Sequence, residues 1–197
     1  MTGVYASTSP LWLEFHRRRN SQRVCFWQPT PANPENLEFG DRWYFCRRGH
    51  KQIDGYGTFA FWEKVSISEA WNNYGEDNGC KSEDEFLKLI AEAAPDTIQI
   101  DNNSEIGCVI LVEVAYFGRV IDLNKVELKS LNVRFEYLDD EDPIERFLSG
   151  LSENRGVEHG FRPCDEAEIK RSLKLLKDRT GQKTFRQNLR YIYGDNC

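Results

Sequence analysis

The sequence has 197 residues, a net charge of −6 and 40% hydrophobic residues, which is enough for one domain with a buried core. No apolar run is long enough to span a bilayer and the N-terminus lacks the order of a secretory signal, so we expect a cytoplasmic protein that does not enter membranes. Residues 1–60 and 166–197 carry net positive charge, and the residues between them carry net negative charge. The two basic ends could bind a polyanion, although solvated charged faces explain the same pattern.

The first predicted elements are a short strand at VYAS and a helix at LWLEFHRRR. Ser9 supplies the N-cap of this helix and Pro10 its first position. We expect Leu11 or Trp12, together with Phe15, on the inner side of the helix. The next strand is RVCFW, which the proline-rich QPTPANP ends.

Two further strands and two helices follow. RWYFC predicts a strand, and a long strand runs from about residue 52 to 64. The GYG within it predicts a bulge or a close backbone approach, as in sheets that curl into small barrels. SISEAWNNYG predicts a helix capped by Ser66 or Ser68, and KSEDEFLKLIAEA predicts a second helix capped by Ser82.

The last part of the chain changes from a mixed body to a helical extension. IGCVILVEVAYF predicts a central strand buried on both faces, and VRFEYL and DPIERFLSGLS complete the body, the latter as a short helix. A linker rich in glycine, proline and charge then leads to the amphipathic EIKRSLKLLKDR. We therefore expect an α+β domain over residues 1–155 and a helical linker over 156–197.

Cysteine and histidine give no sign of a metal or catalytic site. The six cysteines include no CxxC pair and are predicted to be buried, reduced thiols. His16, His50 and His159 are too far apart in sequence for a local metal site, and each is predicted to be a polar surface residue. We therefore expect no catalytic residue, no metal ligand and no cofactor in this segment.

Three stretches carry a family resemblance: FWQPT at 26–30, GYGTFAFW with SEAWNNYGEDNG within 55–79, and IGCVIL at 106–111. Their order and spacing resemble the N-terminal PUA-like (EVE-like) domain found ahead of an HNH nuclease in a family of bacterial endonucleases. The resemblance implies a small curled β-barrel with flanking helices, followed by a helical linker.

The tail GQKTFRQNLRYIYGDNC resembles the segment that leads into the HNH module in that family. The matching residues are Gly181, Gln182, Phe185, Arg186, Tyr193 and Cys197. The resemblance implies a parent HNH endonuclease whose metal-binding histidines and asparagine, with a divalent metal ion, would lie beyond residue 197. The segment itself is expected to be non-catalytic, because metal-assisted phosphodiester hydrolysis needs those ligands.

The resemblance also implies a function: a DNA-binding specificity domain that flips a modified base, 5-methylcytosine or a related one, into an aromatic pocket. The expected partner is modified duplex DNA, and a homodimer is compatible with the sequence. Two alternatives stay open, namely a reader of modified RNA or of nucleic acid in general without nuclease activity, and a PUA-like scaffold for protein interactions.

The candidate site residues follow from this function. The aromatic pocket is predicted from Trp27, Tyr56 and Trp71, and the contacts to the base edge from Gln28, Ser7 and Thr8. The phosphate contacts are predicted from Arg17, Arg18, Arg19, Arg47, Arg48 and Lys51. Core packing, helix capping and a solvated charged face are the structural alternatives for these residues.

Overall fold

The computed structural model describes residues 3–34, 36–50, 52–122, 135–139 and 141–142, together with 145, 146, 148 and 150. The linker predicted for residues 156–197, His159 and Lys51 lie outside the described residues. The boundary at residue 155 therefore stays a prediction.

Within the described residues, six strands form one sheet with the order β2-β5-β4-β3-β1-β6. The strands are β1 (Gly3–Thr8), β2 (Val24–Gln28), β3 (Arg42–Arg47), β4 (Gln52–Ser66), β5 (Glu105–Asp122) and β6 (Phe135–Leu138). β1 and β3 pair in parallel, and all other neighbours are antiparallel. The helices are α1 (Pro10–Arg19), α2 (Ile67–Tyr74) and α3 (Glu83–Ala93), and a 3₁₀ turn (Gly75–Asn78) follows α2.

The GYG segment bends β4 against β5, as predicted. The strand register shifts between Ile53 and Gly55 and again between Tyr56 and Thr58. A Cβ atom at Gly55 would lie 2.2 Å from the carbonyl oxygen of Ala115, so only glycine allows this close approach. Such irregularities increase the local twist and let the long β4–β5 ribbon curl.

β5 is buried on both faces, which confirms the prediction of a central strand. Ile110 and Val112 pack in a cluster with residues of α2 and α3, whereas Val109 and Leu111 pack in a second cluster with residues of α1. Alternate side chains of a strand point to opposite faces, so one strand supplies both clusters. The sheet thus has α1 on one side and α2 with α3 on the other.

The predicted helix starts are confirmed. Ser66 forms a full capping box with Glu69, and the Ser82 hydroxyl accepts the backbone N–H of Glu85. Ser9 is the N-cap of α1, but its side chain forms no capping hydrogen bond.

The four described cysteines, Cys25, Cys46, Cys80 and Cys108, are free and buried, as predicted. Burial raises the pKa of the Cys80 thiol to about 12, so this thiol stays protonated and unreactive at neutral pH. Cys164 and Cys197 lie outside the described residues.

The inner face of α1 matches the prediction at Trp12 and differs from it at Phe15, which is only partly buried. Its buried residues are Trp12, Leu13 and His16, whereas Leu11 is 72% exposed. Positions i, i+1 and i+4 share one helix face here, and the run of arginines that follows His16 concealed this from the sequence pattern. The prediction that His16 is a surface residue is wrong, because it is fully buried; His50 is exposed, as predicted.

Buried His16 predicts acid sensitivity of the fold. Burial, with a smaller effect of the Arg19 charge, lowers the pKa of His16 to about 3. His16 takes up a proton below about pH 6.5 in the unfolded chain but not in the folded chain. The contribution of neutral His16 to stability is therefore complete above pH 6.5 and is lost as pH falls towards 3. We expect a loss of roughly 2 kcal/mol in unfolding free energy between pH 6.5 and 5.

Denaturant unfolding at the two pH values measures this loss. His16→Gln should flatten the pH dependence of stability, whatever it does to stability at pH 7. An unaltered pH dependence in His16→Gln would refute the assignment of the acid sensitivity to His16.

Candidate nucleic-acid interface

An open pocket of about 100 Å³ lies where the ends of β1 and β2 meet the start of α1. The residues that line it are Ser7, Ser9, Trp12, Phe26, Trp27, Gln28, Pro29, Arg48 and Ala93. For scale, an apolar cavity of about 150 Å³ binds benzene, so this open pocket encloses less than one flat ring and the remainder of a ring would lie at its mouth. Larger ligands need pockets of about 300 Å³ or more.

The pocket lies at the ends of β1 and β2 because the sequence terminates both strands there. Pro29 ends β2 directly after Gln28, and Pro10 starts α1 with one residue between it and the end of β1. The parallel pairing of β1 and β3 brings their carboxyl ends together, where the Arg48 N–H donates to the Thr8 carbonyl oxygen at 2.9 Å.

The Trp27 ring is fixed in one orientation. Its indole N–H donates to the carbonyl oxygen of Asn78 at 2.8 Å, and the ring meets Phe86 edge-on at 5.8 Å between centroids. The N–H is therefore committed to the protein, and the ring offers a ligand only its apolar surface. A fixed aromatic surface is suited to stacking because little conformational freedom is lost on binding.

Trp12 is the second indole of the pocket, and sequence reasoning assigned it only to the core. Its ring contacts Phe26 and Phe45 edge-on at 5.7 and 5.6 Å and His16 at 4.3 Å. Because Trp12 comes from α1 and Trp27 from β2, their proximity depends on how the helix packs on the sheet. No local sequence signal could have shown it.

The Gln28 amide is the most informative group in the pocket. Gln28 is only 4% exposed, yet neither its Oε1 nor its Nε2 has a hydrogen-bond partner among the described residues. An unpaired buried amide costs about 1 to 3 kcal/mol, so folded proteins rarely keep one without a reason. Gln28 is one of the residues that line the pocket, next to Trp27 in the sequence, and both of its amide atoms are buried.

Two hydroxyls add further hydrogen-bonding capacity. Ser7, which was predicted for the base edge, lines the pocket, and so does Ser9, which was predicted only as a helix cap. Ser9 does not cap α1 with its side chain, so within the part of the chain that the structure describes its hydroxyl has no cap hydrogen bond to give up for a ligand.

Three predicted residues do not line the pocket. The Thr8 hydroxyl is buried and donates to the Ala6 carbonyl oxygen at 2.7 Å. Tyr56 is 6% exposed and packs against Phe117 in a different cluster. Trp71 packs on Phe86, the same ring that supports Trp27.

Two of the predicted phosphate-binding arginines are held by a buried carboxylate. Arg47 donates to both oxygens of Asp54, at 3.0 and 2.7 Å, and Arg17 approaches the same carboxylate at 3.5 Å. Asp54 is 2% exposed and Arg17 also donates to the Phe117 carbonyl oxygen. These arginines compensate a buried charge, and withdrawing either for a phosphate would leave Asp54 poorly compensated.

The other arginines differ in how they are engaged. Arg18 forms an exposed ion pair with Glu14, and Arg19 pairs with Glu76 at 3.2 Å. Arg48 is exposed at the pocket and forms no ion pair with any described residue. Of the five predicted arginines, Arg48 is thus the one whose charge is both beside the pocket and available to a phosphate.

No cluster of three or more His, Cys, Asp or Glu side chains suited to a metal ion occurs in the described ranges. Within the same ranges, no helix is both long and apolar enough to cross a membrane. The pocket's own donors, an amide, two hydroxyls and a guanidinium, are suited to binding and not to metal coordination.

Comparison with solved structures identifies the fold. The chain is similar to the ASCH protein of Zymomonas mobilis, seen in one mutant structure with a TM-score of 0.54 and 13% identity over 76% of this chain and 95% of that one. A second mutant structure gives 0.53 and 12% identity over 75% and 96%, and a third structure gives 0.52 and 13% identity over 75% and 94%. The fold is PUA-like, of the ASCH type.

The predicted fold class, an α+β domain with a small curled PUA-like barrel, is therefore confirmed. No family model matches this sequence, and comparison with curated proteins gave no match either. At this level of identity the ASCH structures establish the architecture alone.

Proposed function

We propose that this ASCH-like domain is a nucleic-acid reader that holds one extruded base in the pocket lined by Trp12, Trp27 and Gln28. The observation that carries the proposal is the buried, unpaired amide of Gln28. A base edge presents donors and acceptors side by side, so a primary amide can form two hydrogen bonds with it. The nearby indoles supply stacking surface.

The energetics of base extrusion fit the pocket. Unstacking and unpairing a base costs a few kcal/mol, and stacking on aromatic side chains returns about 1 to 3 kcal/mol per base. A buried methyl group adds roughly 0.8 kcal/mol, so methylated cytosine gains a modest preference over cytosine. The small volume of about 100 Å³ also favours a single-ring base.

We further propose that the natural ligand is modified duplex DNA, with 5-methylcytosine or a related base as the flipped residue. This step is supported by the sequence resemblance to the specificity domains of HNH endonucleases. The nuclease context is also supported by the resemblance of residues 181–197 to the segment that leads into the HNH module; these residues lie outside the described ones. It predicts that a longer form of the protein carries a His-Asn-His metal module.

Equilibrium binding tests the proposal. Matched duplexes with one 5-methylcytosine, one 5-hydroxymethylcytosine or plain cytosine are compared with the corresponding single-stranded RNA at fixed salt, because affinities depend steeply on ionic strength. We expect the modified DNA duplex to bind most tightly. Tighter binding of modified RNA would support the RNA-reader alternative. Equal, weak binding of every ligand would leave the protein-interaction scaffold as the remaining alternative.

Arg48 is expected to contribute affinity without selectivity. Arg48→Ala should weaken binding of modified and plain duplexes by the same factor and should reduce the slope of log K against log salt by about one, as removal of one phosphate contact does. Arg18→Ala is the matched control, because this exposed arginine pairs with Glu14 away from the pocket lining. A salt slope unchanged in Arg48→Ala would exclude the phosphate contact.

A further inference from the structure

One short segment contacts both pocket indoles. The main-chain oxygen of Asn78, the last residue of the 3₁₀ turn, accepts the N–H of Trp27 at 2.8 Å. The next residue, Gly79, lies against Trp12: a Cβ atom there would be 2.2 Å from Cδ1 and 2.7 Å from Nε1 of the indole. The Trp12 ring therefore occupies the space that any side chain at position 79 would need.

The 3₁₀ turn is itself firmly held. Asn78 is fully buried, and its side-chain amide donates to the carbonyl oxygens of Ala70 at 3.2 Å and Gly75 at 2.9 Å. Asp77 forms an ion pair at 2.7 Å with Arg23, the residue before β2. The turn is thus tied to the end of α2 and to the strand that carries Trp27, so it is a rigid support for the indoles.

We propose that Asn78 and Gly79 are positioning residues that fix the two indoles and thereby set the width of the base pocket. This inference depends on the proposed function. It assigns a physical role to the NG of the SEAWNNYGEDNG block: the asparagine anchors the turn, and the glycine allows Trp12 to approach it. A change at Gly79 acts on base selectivity through Trp12, whereas Arg48, which follows β3, is not among the atoms near an added Cβ at Gly79 and keeps its charge.

Gly79→Ala is the direct test, and the chain offers a matched control. Gly79 has φ +89° with Trp12 in contact, whereas Gly40 has φ +101° with nothing within 4 Å of an added Cβ. Both alanine variants carry comparable backbone strain, but only Gly79→Ala displaces a ring. We expect Gly79→Ala to reduce the affinity ratio of 5-methylcytosine to cytosine duplexes to about one, and Gly40→Ala to retain the wild-type ratio.

A rescue experiment distinguishes the positioning role of Gly79 from a general loss of structure in the Gly79→Ala variant. Phe is smaller than Trp, so Gly79→Ala combined with Trp12→Phe should bind the modified duplex more tightly than Gly79→Ala alone. This coupling is expected because residues in contact do not behave additively. Additive losses in the double variant would contradict a direct contact between the two positions.

A second readout needs no nucleic acid. Fluorine NMR of 5-fluorotryptophan protein, assigned with Trp12→Phe and Trp27→Phe, should show the Trp12 resonance shifted in Gly79→Ala and unshifted in Gly40→Ala. An unshifted Trp12 resonance overturns the positioning role, and so does a shifted resonance with an intact affinity ratio. If the Trp12 resonance shifts in Gly79→Ala but the wild-type protein binds all duplexes equally, the proposed function is overturned. The positioning of Trp12 by Gly79 is then still supported.

Discussion

Trp27→Ala is expected to remove the preference for modified duplex while retaining most of the nonspecific affinity. Loss of one stacking surface costs about 1 to 3 kcal/mol, which corresponds to a factor of roughly 5 to 150 in the dissociation constant of the modified duplex. The plain duplex relies mainly on phosphate contacts and should lose much less. Titration of both duplexes at one salt concentration measures the two effects.

Trp71→Ala is the control for Trp27→Ala. Both tryptophans are partly buried and both pack on Phe86, but only Trp27 lines the pocket. The Trp71 variant should therefore lose stability and keep the preference for modified duplex. An unchanged preference in a folded Trp27→Ala protein would remove Trp27 from the base pocket.

Gln28→Met is expected to separate folding stability from recognition. The amide is buried without a partner, so an apolar side chain of similar length should leave the free energy of unfolding unchanged or raise it by about 1 kcal/mol. The same change removes the hydrogen bonds to the base edge, for which we expect roughly a 10- to 100-fold loss of affinity for the modified duplex. Denaturant unfolding and duplex titration measure the two quantities.

Gln22→Met supplies the matched control, because Gln22 is exposed and, among the described residues, its amide bonds only to the Asn20 carbonyl oxygen. It should change neither stability nor binding. If Gln28→Met destabilised the fold by 1 kcal/mol or more and left duplex affinity intact, the amide would be structural and the pocket would lack its reading group.

Local sequence signals predicted most of the described elements. Serine caps, the proline that ends β2 and the glycines of GYG act through the backbone of their own neighbourhood, so their effects can be read without the tertiary structure. The same reasoning placed Ser7 and the Trp27–Gln28 pair at strand ends, and the structure brings these ends into one pocket.

The remaining features depend on contacts between distant segments. The pocket lining also includes Trp12 on α1 and Ala93 on α3, whose approach to the strand ends follows from how the helices pack on the sheet. Likewise, a run of arginines predicts a basic surface, but Asp54 engages both Arg17 and Arg47. Sequence patterns report which charges exist and not which of them are compensated in the fold.

The most direct measurement is a crystal structure of this protein with a duplex that contains one 5-methylcytosine. The pocket should hold that base, extruded from the helix, against the Trp27 ring and with its edge within hydrogen-bond distance of the Gln28 amide. A complex in which the modified base stays stacked and paired in the duplex, with the pocket turned away from the DNA, would contradict base reading by this domain.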